Sequence, residues 1–372
     1  MTKSDGRRIR YAMVGMGNIA QVAMLPAFAH AKENSELVAL TSGTDEKREA
    51  LSRKYPHIQG IGTYDDLESL IEEFDIDAVY ISVPNSRHRE MTERAAKKGV
   101  HVLCEKPMAI TVEDCQAMIE VCDQNDVKLM IAYRLHFEEA NLRTIELLRS
   151  GKIGDPRIFS SVFSHQVRPG DIRTQGELGG GALYDLGIYC VNAARYLFAD
   201  EPTEVFARSV SAGDPRAEDV DQTTTVVLRF PQDRMAQFTV SQGAISVSSY
   251  RVTGTEGSLR LEPAYEYSSG LKQILSVGEE ETEHSWPKRD QFAPELLYFS
   301  RCILSDEEPE PSGQEGLADI RILEAATESA KSGEVVQLEP FDRDRRPGID
   351  QLIKRPGIEP PTTVEAPSPS FE

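Results

Sequence analysis

The sequence predicts an α/β protein with two domains: a doubly wound parallel sheet, then an α+β domain with a large, open, mostly antiparallel sheet. Three observations predict it. Short apolar strands alternate with amphipathic helices through residues 8–132, a glycine-rich turn follows the first strand, and period-two alternation dominates after Tyr133. The 372 residues suffice for two cores. We expect domains at 1–133 and 134–341 and an extended C-terminal arm at 342–372.

The first domain is predicted to alternate strand and helix with brief connections, which is typical of a doubly wound sheet. The predicted strands are Arg8–Val14, Leu37–Ser42, Ala78–Val83, Val100–Cys104 and Lys128–Ala132. The predicted helices are Ile19–Ala29, Asp45–Tyr55, Leu67–Glu73, Arg87–Lys98 and Val112–Asp126.

The second domain is predicted to contain more strand than helix. A helix near Ala140–Ser150 is followed by strand-like runs at Arg157–Ser164, Glu204–Ser211, Gln222–Phe230, Met235–Ser241, Tyr250–Gly254 and Ser258–Glu262. Two helices, Phe292–Leu304 and Glu315–Ser332, close the domain. They cover only one sheet face, so we expect a homodimer or homotetramer through the other. Residues 347–372 are rich in proline and read as an arm that is either disordered or laid across a neighbouring subunit.

The composition and charge of the chain argue against several classes of binding partner. The net charge of −20 argues against nucleic acid or an anionic membrane. No run of 18 apolar residues is present, and the opening MTKSDGRRIR has no apolar signal region, so we expect a cytoplasmic protein. The scattered cysteines and histidines show no metal-ligand spacing, so no metal is expected.

A dinucleotide fingerprint of the form GxGxxA lies between the first strand and the first helix. Its residues are Gly15, Met16, Gly17, Asn18, Ile19 and Ala20. The first glycine makes the turn, the second lets the backbone approach a pyrophosphate, and the small alanine packs helix on strand. The motif in this position predicts a Rossmann domain.

The end of the second strand favours NADP over NAD. Ser42 and Gly43 stand where an NAD-type carboxylate is expected, and Lys47 and Arg48 follow on the next helical turn. A hydroxyl with nearby cations suits a 2′-phosphate, which a carboxylate would repel. The alternative is an ordinary helix cap with solvated charges, in which Asp45 is the rival acid.

The stretch GGGALYDLGIYCVN, residues 179–192, predicts a helix with a polar face. Asp185, Tyr189, Asn192 and Tyr196 share that face at i, i+4, i+7 and i+11. The helix either is buried with a close contact at Gly187, or lines a polar pocket in which a flat ligand approaches its backbone. In the second case Gly179–Gly181 keep side chains away from the ligand.

Two further motifs lie at the carboxyl edge of the first sheet, where doubly wound folds bind ligands. One is Cys104-Glu105-Lys106-Pro107, and the other contains Val83, Pro84, Asn85 and His88.

In this order, GMGNIA, VPNSRH, CEKP, AYR and GGGALYDLGIY resemble the glucose–fructose oxidoreductase/inositol dehydrogenase (Gfo/Idh/MocA) family over residues 8–337. The resemblance is strongest to the glucose–fructose oxidoreductase branch. It implies a nicotinamide lying across the polar-faced helix, a cis Lys106–Pro107 bond, and an open-faced sheet used for oligomerisation. It also implies that the fingerprint residues, Ser42, Gly43, Lys47, Val83, Pro84, Asn85, His88, Glu105, Lys106 and Arg134 bind the cofactor.

The resemblance further implies Lys106, Asp185 and Tyr189 as catalytic residues. It places Lys106, Arg134, His136, Arg173, Asp185 and Tyr189 against the substrate. Tyrosine at 189, where many members have histidine, resembles the branch that acts at aldose C1 or on related diols. Free tyrosine has a pKa of about 10, so a cation such as Lys106 would favour the phenolate.

These residues lead to the expectation of an NADP-dependent oxidoreductase that moves a hydride between nicotinamide and C1 of an aldose. From the opening MTKSDGRRIR we expect neither the export signal nor the N-terminal arm of the glucose–fructose enzyme, so we expect a releasing aldose dehydrogenase at least as readily as a ping-pong cycle with retained cofactor. The alternatives are a ketosugar reductase, a dihydrodiol dehydrogenase, or an NADPH-binding sensor without turnover.

Overall fold

A computed structural model describes residues 6–211, 219–343 and 345–371. Residues 1–5, which contributed to the expectation about location, lie outside the described residues. The chain divides into two compact units. Unit 1 comprises residues 1–134, 290–317 and 354–368, and unit 2 comprises residues 135–289, 318–353 and 369–372. The predicted fold class is confirmed, because unit 1 carries a parallel sheet and unit 2 a mostly antiparallel one.

The sheet of unit 1 has the order β3-β2-β1-β4-β5-β6, and all its pairs are parallel. Its strands are β1 (Ile9–Val14), β2 (Ser35–Thr41), β3 (Gly60–Gly62), β4 (Ala78–Ile81), β5 (His101–Glu105) and β6 (Leu129–Ala132). The order reverses direction beside β1, so the exits of β1 and β4 lie at the switch point, where such sheets bind ligands.

Helices flank this sheet. They are a π-helical turn (Ala20–Met24) that continues into α1 (Leu25–Ala27), then α2 (Asp45–Lys54), α3 (Leu67–Glu73), α4 (His88–Ala96) and α5 (Val112–Gln124). The helix α8 (Ala293–Ser305) also belongs to unit 1, although the sequence predicted it in the second domain. The contacts of Ser300 on α8 show why this helix packs with unit 1. Its hydroxyl forms hydrogen bonds with Tyr11 Oη at 2.9 Å and with Ser35 Oγ at 2.8 Å. Such contacts leave no periodic signal.

Unit 2 holds a nine-stranded sheet in the order β14-β13-β12-β11-β7-β10-β9-β8-β15. The strands are β7 (Pro156–Ser164), β8 (Glu204–Val210), β9 (Thr223–Phe230), β10 (Arg234–Ser241), β11 (Val247–Gly254), β12 (Gly257–Leu261), β13 (Leu271–Val277), β14 (Glu280–Trp286) and β15 (Val336–Gln337). Among the described strands of this sheet, β7 and β10 are the one pair that is parallel. The prediction missed β13 and β14; β14 reads EETEHSW and has no apolar alternation.

Helices of unit 2 pack on one face of this sheet. They are α6 (Glu139–Arg149), α7 (Ile188–Phe198) and the larger part of α9 (Gly313–Ser332). On the other face, Ile158 of β7 is 46% exposed, Val162 is 41% exposed and Met235 of β10 is 42% exposed. An apolar set of this kind on a bare sheet face is typical of an association surface.

The C-terminal arm lies on its own chain, which neither sequence alternative anticipated. In unit 1, Arg355 Nε donates to His30 O at 3.0 Å, and Val364 N donates to Gln21 Oε1 at 2.7 Å. In unit 2, Arg168 N donates to Pro369 O at 2.8 Å. Ordered backbone hydrogen bonds fix an extended segment without giving it helical or strand periodicity.

No helix among the described residues is long and apolar enough to cross a membrane. Within the same residues, no group of three or more His, Cys, Asp or Glu side chains is arranged to hold a metal ion.

Candidate active site

The glycine loop after β1 has the geometry that a pyrophosphate requires. Gly15 has φ +100°, and a Cβ there would lie 2.8 Å from the backbone of Ser82. Only glycine fits this turn without strain. A Cβ at Gly17 would meet no described atom within 4 Å, so the backbone borders open space on that side. The loop therefore fits a dinucleotide phosphate group.

The loop after β2 brings the Arg48 guanidinium beside Ser42, and Lys47 precedes Arg48 on α2. Thr44 caps α2 by accepting a hydrogen bond from Lys47 N. Arg48 Nη1 donates to Ser42 O at 2.9 Å and to Gly43 O at 2.7 Å, and the same guanidinium pairs with Asp45. The rival acid is thus neutralised by Arg48, and the loop fits a 2′-phosphate better than a ribose diol.

The exit of β5 carries Lys106, which is half-buried. The Lys106–Pro107 bond is cis, which confirms the prediction. His88, a predicted cofactor contact, is buried between the loops after β4 and β5. Its side chain is 1% exposed, with Nε2 3.0 Å from Val83 O and Nδ1 3.0 Å from Pro107 O. We therefore revise its role: the His88 imidazole connects the loops after β4 and β5.

A buried polar cluster lies in unit 1 around Glu105, the neighbour of Lys106. Tyr80 Oη donates to Glu105 Oε1 at 2.6 Å. Arg134 is 5% exposed and donates from Nη1 to Gln291 Oε1 at 2.5 Å. Glu295 of α8 is fully buried, and neither of its carboxyl oxygens has a hydrogen-bond partner among the described residues.

Burial in this cluster favours the neutral, protonated form of its carboxyl groups. Burial raises the pKa of the Glu105 carboxyl, although the Tyr80 hydrogen bond and the charge of Lys106 act against it. Burial also raises the pKa of Glu295 well above its ordinary value, and the charge of Glu105 adds to the effect. A buried carboxyl without a partner is expected to hold its proton.

In unit 2, the glycine run shapes the turn before the polar-faced helix. Gly180 N donates to Gln175 O at 3.0 Å, and Gly181 N donates to Arg173 O at 2.8 Å. A Cβ at Gly180 would lie 2.5 Å from Arg173 O, so only glycine allows this approach. The turn thereby brings the Arg173 backbone to the start of the helix.

The first turn of that helix is a π-helix, Leu183–Gly187, which continues into α7. Its Asp185 Oδ2 lies 3.2 Å from Arg173 Nε, 3.3 Å from Gln242 Nε2 and 3.7 Å from His165 Nε2. Burial would lower the pKa of Arg173, but the charges of Asp185 and Asp171 outweigh it and raise that pKa. Asp185 is therefore one member of an ion-pair group.

Tyr189 begins the next turn and is half-buried. Its ring packs edge-on against Phe163 at a centroid distance of 5.6 Å and lies 6.0 Å from the ring of Tyr265. These aromatic contacts fix the ring, so the position of the phenol oxygen is set by packing.

The rest of the predicted polar face is buried in the core of unit 2. Asn192 Nδ2 donates to Asp319 Oδ2 at 2.9 Å, and Tyr196 Oη donates to Asn141 Oδ1 at 3.0 Å. His136, predicted to contact the substrate, is fully buried with Nε2 2.8 Å from Asn192 Oδ1. We revise its role to supporting α7, because buried polar groups of this kind hold a core together through paired hydrogen bonds.

Of the two alternatives left open by the sequence, Gly187 matches a buried helix with a close contact at the glycine. It is buried, and a Cβ there would lie 2.9 Å from Leu183 Cδ1 and 3.6 Å from Phe238 Cε2. The absent side chain therefore serves packing between the helix and β10.

Sequence reasoning missed four polar residues around these groups: Gln291 and Glu295 in unit 1, and His165 and Gln242 in unit 2. Glu295 carried no distinguishing signal, because an acid in the first turn of a helix such as Ala293–Ser305 is the usual placement. His165 and Gln242 carried none, since each follows a strand end that is polar anyway.

Known proteins match both units. Residues 9–133 match the model of an oxidoreductase family with an NAD-binding Rossmann fold, and residues 142–260 match the GFO/IDH/MocA C-terminal domain. D-xylose 1-dehydrogenase [NADP(+)] of Haloarcula marismortui is 34% identical, over 89% of this chain and 93% of the relative.

Solved structures agree with this match. Aldose-aldose oxidoreductase from Caulobacter crescentus, complexed with glycerol, has a TM-score of 0.84 and 38% identity over 89% of this chain and 100% of that one. A 3-ketoreductase from Actinomadura kijaniata, in complex with NADP and TDP-benzene, has a TM-score of 0.78 and 26% identity, over 87% of this chain and 98% of that one.

Proposed function

Because this chain belongs to the Gfo/Idh/MocA oxidoreductase family, we propose that it is an NADP-dependent sugar oxidoreductase acting at C1 of an aldose. The observation that carries the proposal is the 34% identity to an NADP-dependent xylose 1-dehydrogenase along nearly the whole length of both chains. The similarity to an aldose-aldose oxidoreductase supports the same substrate class.

NADP is supported by the residues of the β2 exit as well as by the relatives. Lys47 supplies a positive charge on the helix that follows Ser42, and Arg48 offsets the negative charge of Asp45. The pyrophosphate would be held by the fingerprint loop, residues 15–20. When bound, the nicotinamide accepts the hydride from the sugar or returns it.

The chain's own residues would manage the proton and hold the sugar. Tyr189 exchanges the proton of the C1 hydroxyl as the hydride leaves C1. The ammonium of Lys106 would hold a sugar oxygen. Asp185 orients the sugar, and Arg173 holds Asp185 through the 3.2 Å contact. These roles rest on the family resemblance and on the chemistry of the groups.

A ketosugar reductase is the second candidate, favoured by the similarity to a 3-ketoreductase. The same proton donor and hydride carrier serve either direction. Assays of the purified protein with NADP or NADPH against panels of aldoses and ketosugars would separate the two. Turnover of aldoses with NADP supports the proposal, and turnover of ketosugars alone with NADPH contradicts it.

Two further expectations concern the oligomeric state and the location of the protein. We propose a homodimer or homotetramer that associates through the bare face of the second sheet, supported by the exposed Ile158, Val162 and Met235. The cytoplasmic location expected from the sequence stays a prediction.

A further inference from the structure

Part of the C-terminal arm is docked by hydrogen bonds onto the helix that follows the dinucleotide fingerprint. The Gln21 amide pairs with the backbone of Val364 in both directions: Nε2 donates to Val364 O at 2.9 Å, and Oε1 accepts from Val364 N at 2.7 Å. Gln21 is fully buried and also donates to Met16 O at 2.8 Å. One side chain thus connects the arm to the fingerprint loop.

The next two carbonyls of the arm contact the predicted cofactor residues themselves. Glu365 O accepts from Lys47 Nζ at 3.0 Å, and Ala366 O accepts from Asn18 Nδ2 at 3.1 Å. Three consecutive carbonyls, at 364, 365 and 366, are therefore bound by Gln21, Lys47 and Asn18. These donors come from the fingerprint loop, the first helix and α2, so the arm spans the phosphate-binding edge of the sheet.

The arm adopts a costly conformation to make these contacts. Glu365 has φ 44°, in the left-handed region that a side chain disfavours by about 1 kcal/mol or more. Ala366 beside it is only 6% exposed. Such a residue persists where surrounding contacts determine its geometry, and it is common at ligand-binding segments.

We propose that residues 364–366 form a strap that completes the adenosine end of the NADP site and slows release of the dinucleotide. The inference rests on the proposed NADP binding. Lys47 carries three N–H donors, and Glu365 uses one of them, so others remain available to a phosphate. An ammonium already fixed by a carbonyl loses less side-chain entropy when an anion binds, which favours retention.

The strap affects whether the dinucleotide is exchanged between turnovers. Without a strap, the open side of Gly17 would let the dinucleotide exchange after each turnover. With the strap closed, the cofactor leaves only after Val364 and Ala366 release Gln21 and Asn18. Hydride can then be transferred between two sugars on one retained NADP.

The test measures release of NADPH from the full-length protein. NADPH is bound first, and its fluorescence loss is followed after excess NADP is added. Val364→Pro removes the N–H that Gln21 accepts, so release should become about fivefold faster, the effect of one net hydrogen bond. Gln21→Met removes both hydrogen bonds to Val364 and should accelerate release further. Thr362→Ala is the matched control, because it changes an exposed side chain of the arm and keeps its backbone.

Hydrogen exchange of the wild-type protein gives an independent readout. The Val364 amide should exchange more slowly when NADP is bound, because a filled site holds the strap closed. Equal release rates for wild type, Val364→Pro and Gln21→Met would overturn the strap, as would unchanged exchange at Val364. Wild type that binds no NADPH would overturn the proposed function and the strap with it, so the two failures are distinguishable.

Discussion

Arg173 Nε lies 3.2 Å from Oδ2 of Asp185, and the same guanidinium contacts Asp171 Oδ1 at 3.1 Å. The glycine turn at 179–181 makes this possible, because Gly181 N binds the Arg173 carbonyl. The most conspicuous sequence motif thus positions an arginine next to a proposed substrate-orienting carboxylate. The sequence analysis predicted that Arg173 contacts the substrate. Within unit 2, the guanidinium of Arg173 contacts Asp185, so Arg173 can act through that carboxylate.

Replacing Arg173 should therefore affect the reaction through Asp185. Arg173→Gln removes a charge-assisted hydrogen bond, which contributes about 1.5–3 kcal/mol. We expect kcat/KM for the aldose to fall by about 10-fold to 100-fold, with NADP affinity little changed. Arg173→Lys keeps the charge and should recover part of the loss. An unchanged kcat/KM in Arg173→Gln would contradict the positioning role.

The pKa of Glu295 predicts a pH-dependent stability. Its folded pKa is raised, so between the unfolded value near 4.5 and the folded value the native state binds the extra proton. Stability from this group is therefore lost as pH rises, by up to about 1.4 kcal/mol per pH unit. Glu105, Asp290 and Arg134 face the carboxyl and affect the size of the shift.

Glu295→Gln removes the titrating group, so the free energy of unfolding of the variant relative to wild type should increase from pH 5 to pH 8. Urea denaturation at four pH values measures this difference. Glu280→Gln, an exposed carboxyl on β14, serves as the control. A difference that stays constant from pH 5 to pH 8 would show that the pKa of Glu295 is not raised in the native state.

Most of the first unit follows from local sequence signals. β1, the glycine turn and the alternating helices each carry their own pattern, and the GxGxxA spacing predicts a loop that the structure confirms at Gly15. Lys106 at the exit of β5 follows from the same logic, because parallel strands direct their carboxyl ends to one edge.

The failed predictions concern contacts that leave no periodic pattern in the sequence. Asn192 and Tyr196 read as one polar face with Tyr189, but Asp319 and Asn141 satisfy them inside the core. β14 is paired to β13 despite its polar sequence, since backbone bonds alone can hold an edge strand. The docking of Val364 on Gln21 likewise has no periodic signal.

The β2 exit predicts the cofactor preference. Lys47→Gln removes a cation from the loop, so the Kd for NADP should rise at least about tenfold while the Kd for NAD changes little. Lys54→Gln is a matched control, because Lys54 lies on the same helix and also binds the arm, through Thr362 O. Ser42→Asp should narrow or reverse the preference by repelling the 2′-phosphate. Equal wild-type affinity for both dinucleotides would refute this interpretation of the loop.

The bare sheet face predicts the assembly. Val162→Glu combined with Met235→Glu places charge among side chains that are 41% and 42% exposed in the single chain. If this face forms the subunit contact, burial of those charges would shift the protein toward monomer. Sedimentation velocity at micromolar concentration measures the change. A wild-type monomer under the same conditions would rule out association through the sheet.

The proton carrier is the most direct test of the proposed chemistry. Tyr189→Phe keeps the ring that packs on Phe163 and Tyr265 and removes the hydroxyl. General acid–base catalysis contributes about 10² to 10⁴-fold, so turnover should fall by that range. NADP affinity should stay close to wild type, because Gly15, Gly17 and Lys47 would carry the dinucleotide.

Lys106→Met should be at least as damaging, because it removes the ammonium that is proposed to hold a sugar oxygen. Both side chains are half-buried, so the free energy of unfolding should change little in either variant. Turnover per folded molecule, measured together with denaturation, separates catalysis from stability. A destabilised Tyr189→Phe protein with near-normal turnover would mean that the tyrosine serves only packing, and the catalytic assignment would then fail.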